Sequence, residues 1–142
     1  MLELLQPLHP KVVHFPVALF ITALFLEGIH LVNKKDIWHQ SAVILYVMAA
    51  IITPFVVRTG IWEAEKTGIH HPVLDFHRQF ALWTMWLSLM SLPVLWIFFR
   101  ERPRWMKPVF VCLLIAVAIC VTLAGHYGGT MVYEYGVGTD LF

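Results

Sequence analysis

Histidine is the residue that could do chemistry in this chain. There are eight among 142 residues, and neutral imidazole ligates iron, copper and zinc. The most organised stretch is Leu8-His9-Pro10-Lys11-Val12-Val13-His14-Phe15-Pro16, where a polar start runs into apolar sequence. A similar arrangement returns as His71-Pro72-Val73-Leu74-Asp75-Phe76-His77. Both copies open on His-Pro, place a second histidine five or six residues later, and then become hydrophobic. His126 follows the last apolar run, and His70 adjoins the second copy. His30 and His39 stand apart, flanking the sequence Asn33-Lys34-Lys35-Asp36.

The elements that position these side chains follow from composition. Hydrophobic residues make up 59% of the chain and charged residues 13%, against roughly a quarter charged in soluble domains. The mean hydropathy is +0.73. Four apolar runs, about 12–32, 37–57, 76–99 and 108–127, are each long enough to cross roughly 30 Å of hydrocarbon at about 1.5 Å per residue. Open strands are excluded, because lipid cannot satisfy their edge hydrogen bonds. The expected fold is all-α: a single integral-membrane domain, residues 1–142, with four transmembrane helices in two similar hairpins. Pro10, Pro72 and Pro108 suit first helical turns, whereas Pro16, Pro54 and Pro93 fall inside runs and would kink them. Residues 61–72 read as a polar loop.

Six basic residues flank the two short turns, at Lys34, Lys35, Arg100, Arg102, Arg104 and Lys107. Four, Lys11, Arg58, Lys66 and Arg78, fall on the opposite side. The positive-inside rule then puts the turns in the cytoplasm and both termini outside. Trp38, Trp96 and Trp105 would form the inner aromatic belt, and Trp62, Tyr127, Tyr133 and Tyr135 the outer one. Nothing at residues 1–8 has the form of a cleavable signal, so the first span is expected to be retained.

In this layout six histidines, His9, His14, His70, His71, His77 and His126, gather on the outer side. The halves suggest a parallel repeat about an axis along the membrane normal. It pairs His9 with His71, 62 residues on, and Gly60 with Gly125, 65 residues on. Ionisable groups at membrane depth face the bundle interior and are functional candidates by default. His14 and His77 form the leading axial pair for a haem, with His126 as alternative ligand, and His9 and His71 nearer the rim. Phe15, Phe76, Phe80 and Trp83 could line the slot, with Gly60 and Gly125 allowing close approach. Arg58 and Arg78 could pair with propionates. His30 and His39 could form a second, inner site, although adjacent helices rarely leave room for a macrocycle. Glu27, one turn before His30, reads as a snorkelling or interhelical hydrogen-bonding residue. Cys112 and Cys120 share one span, and the absence of Cys-x-x-Cys-His rules out a covalently attached c-type haem.

The stretch Leu8–Pro16 with Val17-Ala18-Leu19, Thr59-Gly60, His77, and Gly125-His-Tyr-Gly-Gly-Thr-Met-Val-Tyr133 followed by Gly136-Val-Gly138 resembles the DUF2231 family of small bacterial membrane proteins. The resemblance implies a four-span bundle of a kind often fused to, or encoded beside, c-type cytochrome domains. Its motif positions include His9, His14, His77 and His126, but not His30 or His39.

The expected function is that of a b-type haem subunit, with one haem b or two. It would pass electrons between the quinone pool and a periplasmic c-type cytochrome, as an electron-transfer subunit rather than a stand-alone enzyme. Its setting would be the bacterial inner membrane, with a c-type cytochrome or respiratory-complex subunits as partners. One alternative is a cofactor-free anchoring subunit of a respiratory complex, and another is a copper or zinc site built from the same outer histidines. Nothing in the chain suggests hydrolysis, nucleic-acid binding or phosphate binding.

Overall fold

The structure, a computed structural model, describes residues 8–68, 71–101 and 105–136. His70 and the basic residues Arg102 and Arg104 lie outside the described residues. Five helices follow in order: α1 (Leu8–Val12), α2 (His14–Asn33), α3 (Asp36–Thr67), α4 (Pro72–Glu101) and α5 (Met106–Tyr133). No strand occurs among the described residues. α1 and α2 run on as one apolar span, Leu8–Asn33, so four helical stretches are long and apolar enough to cross a membrane.

Each helix packs on two others around a ring: α2 on α3 and α5, and α4 on α3 and α5. α2 and α4 therefore lie on one diagonal, and α3 and α5 on the other. α1 packs on α3 and α2. One end of the bundle carries the two short interhelical turns. The other carries α1, the α3–α4 connection and the end of α5. These are called the turn end and the terminal end below.

The burial pattern is that of a bundle in lipid. On α2, Phe25 is 68% exposed while Glu27, two positions on, is 2% exposed. Phe15, Trp83, Trp86 and Met90 also face outward, whereas Thr84, Ser88 and Ser91 are buried. Between helices, association relies on close packing and internal hydrogen bonds, since lipid is as apolar as leucine. Accordingly Phe20, Tyr46, Phe110 and Leu114 are packed among the small residues Ala23 and Ala49. The Tyr46 and Ser91 hydroxyls share a hydrogen bond of 2.7 Å, tying α3 to α4.

The helices extend beyond the apolar runs. The segment expected as a polar loop is helical to Thr67, where Gly68 takes a left-handed conformation (φ 61°) and its N–H caps Ala64 O. A change of polarity marks where lipid ends, not where a helix ends. At about 1.5 Å per residue the 32 residues of α3 reach about 48 Å, well past the hydrocarbon. α5 likewise runs through Gly128 and Gly129 to Tyr133. Pro54 and Pro93 are accommodated inside α3 and α4. Hydroxyls nearby bond back to main-chain carbonyls, Thr53 to Ala49 and Ser91 to Ser88. At the α2–α3 turn Lys34 adopts φ 55° and donates its N–H to His30 O at 2.7 Å.

Candidate functional site: histidines at the two ends of the bundle

At the terminal end the structure brings together His9 and His77. Both are half-buried, and their ring centroids lie 6.1 Å apart with planes at 81°. His9 stands on α1 and His77 on α4, so they meet across the bundle rather than within a hairpin. Each ring is held by the other helix of its own hairpin. His9 Nδ1 donates to Val56 O at 3.1 Å, with Thr59 Oγ1 also near at 3.2 Å. His77 Nδ1 donates to Ala124 O at 2.8 Å. A carbonyl oxygen can only accept, so Nδ1 carries the proton in both rings. In the neutral form Nε2 then keeps its lone pair.

Glycine makes both contacts possible. Gly60 follows Val56 by four residues, and a β-carbon on it would stand 2.8 Å from His9 Cε1. Gly128 follows Ala124 by four residues, and its β-carbon would stand 3.2 Å from His77 Cε1. Without a Cβ at these positions the imidazoles can lie against the helix backbone and reach a carbonyl already used in the helix. The donor–acceptor separation is 47 residues in both cases. His9 with His77, Val56 with Ala124 and Gly60 with Gly128 share one offset of 68 residues. The repeat is therefore in a different frame from the one read in the sequence. His71 is not the counterpart of His9, and Gly125 is not that of Gly60; nothing lies within 4 Å of a β-carbon on Gly125.

The other expected ligands are placed differently. His14 opens α2 and is exposed, and His126 is exposed beside Tyr127. His71 caps α4: its Nδ1 accepts the Val73 N–H at 3.2 Å, and its ring lies 4.2 Å from that of Tyr135. Arg58 and Arg78 are exposed. Of the aromatics expected to line a slot, Phe15 and Trp83 face outward, while Phe76 and Phe80 stack on Tyr127 at 5.3 and 5.7 Å.

The turn end holds a second cluster. Glu27 and His30 share one face of α2, an i, i+3 pair, and His39 projects from the first turn of α3. His39 Nδ1 lies 2.8 Å from Glu27 Oε2, the interhelical bond expected of Glu27. His30 Nδ1 donates to Lys35 O at 3.0 Å, and its ring centroid is 5.2 Å from that of His39. Phe110 closes the inner side, edge-on to His39 at 5.6 Å. Glu27 and His30 are buried, and the His39 side chain is 12% exposed. One ligand atom from each of the three lies within 4.8 Å of the others.

A family model described as "Predicted membrane protein (DUF2231)" matches residues 5–141. The chain belongs to the DUF2231 family. No curated protein and no solved structure matched it. The family description agrees with the four spans and leaves the chemistry to be argued from the residues.

Proposed function

We propose that this DUF2231 protein is a b-type haem membrane subunit that carries electrons, with His9 and His77 as the axial pair. The observation that carries this reading is the repeated Nδ1-to-carbonyl bond, which orients two imidazoles and leaves Nε2 of each as a base. Metal-ligating histidines are commonly fixed in this way through the second ring nitrogen. The two ring centroids, 6.1 Å apart, also bring both imidazoles within reach of one group. His9 replaces His14 as partner of His77, because His14 is exposed. His14 and His126 are both exposed, which favours the His9–His77 pair over an outer copper or zinc site that would use them.

Haem held by two imidazoles would supply one-electron storage without an open coordination position. The chain's contribution is to orient both ligands, exclude lipid with Phe80 and Tyr127, and confine the group to one end of the bundle. We place this end on the periplasmic side of a bacterial inner membrane, on the distribution of basic residues between the two ends. A periplasmic c-type cytochrome is then the electron partner, and the quinone pool the other exchange point. Arg58 and Arg78 remain candidate propionate partners at the exposed rim.

The test is the visible spectrum of the full chain, purified in detergent from haem-replete cells. The expected result is a Soret band with a sharp reduced α-band, lost in His9→Ala and His77→Ala and retained in His14→Ala and His126→Ala. A colourless wild-type protein would overturn the reading in favour of an anchoring subunit.

A further inference from the structure

The Glu27–His30–His39 cluster has no part in the haem reading, and it differs from an ordinary ion pair in three respects. It contains two imidazoles for a single carboxylate, so charge neutralisation accounts for only one of them. Both imidazoles are fixed through Nδ1, His30 by Lys35 O and His39 by Glu27 Oε2. The backbone that holds His30 is itself committed, because Lys34 adopts a left-handed conformation and returns its N–H to His30 O at 2.7 Å. A non-glycine residue with positive φ carries strain that surrounding structure must over-determine.

From this geometry we infer that Glu27, His30 and His39 form a binding site for a divalent transition-metal ion of the zinc type. Two neutral imidazoles and one carboxylate are a zinc donor set, whereas magnesium and calcium prefer all-oxygen shells and copper(I) prefers sulfur. Zinc bonds of about 2.0–2.1 Å hold tetrahedral ligands roughly 3.4 Å apart. The three ligand atoms lie within 4.8 Å of one another, so they must draw closer to share one ion. Three protein ligands would leave one tetrahedral position for water or another ligand.

The test uses the untagged full chain in detergent after chelator treatment, titrated with Co²⁺ as a visible probe and then with Zn²⁺ in competition. The expected result is one Co²⁺ per chain, displaced by one Zn²⁺, with affinity at least tenfold weaker in Glu27→Gln and His39→Ala. Co²⁺ binding should be unchanged in a chain carrying both His9→Ala and His77→Ala. Zinc-edge X-ray absorption of the Zn²⁺-loaded wild type needs no variant and should report two imidazoles in an all-nitrogen-and-oxygen shell. Absence of saturable binding, binding retained in His39→Ala, or binding lost only with His9 and His77 would overturn the inference. In those cases Glu27 and His39 are a buried ion pair alone. Because the haem spectrum and the Co²⁺ titration are separate readouts, either reading can fail without the other.

Discussion

The two ends of the bundle each gather histidines, by opposite means. At the terminal end His9 and His77 come from α1 and α4, on opposite sides of the bundle, and are half-buried. At the turn end Glu27, His30 and His39 come from the two helices of one hairpin, Glu27 and His30 buried and His39 largely so, with a carboxylate among them. A pair facing across a bundle can hold something flat and large between its rings. A trio within a hairpin can close only on something small. On the two readings proposed above, the same residue type would serve two sizes of ligand, with helix connectivity deciding which.

The largest expected effect separates the ends outright. His9→Ala or His77→Ala should reduce haem content more than tenfold and leave Co²⁺ binding intact, whereas Glu27→Gln and His39→Ala should do the reverse. Measuring haem absorbance and cobalt stoichiometry on the same preparations tests both halves at once. A variant that lost both would show that the ends are one cooperative unit, and the contrast would fail.

A smaller effect tests how the terminal end is built. Gly60→Ala should lower haem occupancy several-fold, since its Cβ would meet His9 at 2.8 Å. Gly128→Ala, with 3.2 Å to His77, should lower it less, and Gly125→Ala should leave it unchanged. Haem absorbance per chain gives the order directly, and equal effects at Gly125 and Gly60 would refute the cradle.

Between the ends, Tyr46→Phe removes the bond to Ser91. It should cost about 0.5–1.5 kcal/mol in thermal or denaturant unfolding, the scale of a buried hydrogen bond, without shifting either spectrum. The smallest effect lies at the turn. Lys34→Gly relieves a positive φ and should change stability by less than about 1 kcal/mol in the favourable direction. Its cobalt affinity should stay close to wild type, because His30 is held by the Lys35 carbonyl and not by the Lys34 side chain.

Much of this was legible in the chain, for identifiable reasons. The four spans follow from apolar length. The depth of His30 and His39 and the interhelical role of Glu27 follow from their position beside a short turn, which forces α2 and α3 to lie side by side. The pairing of His9 with His77 was not legible. His14 and His77 look equivalent because each lies five or six residues after His-Pro, yet helix phase and the α1–α2 junction turn His14 outward. Gly128 lies just beyond the last apolar run, and its use lies in a contact to a residue 51 positions away.

By itself the sequence determined the class of this protein, the number of its spans and the set of side chains available for ligation. Those depend on transfer to lipid and on chain chemistry, which are local properties. Only the tertiary structure decided which histidines meet, because that depends on rotation about each helix axis, where one residue turns a side chain by about 100°. It also decided the frame of the repeat, 68 residues rather than 62 or 65, since frame is set by contacts between helices and not by similarity along them.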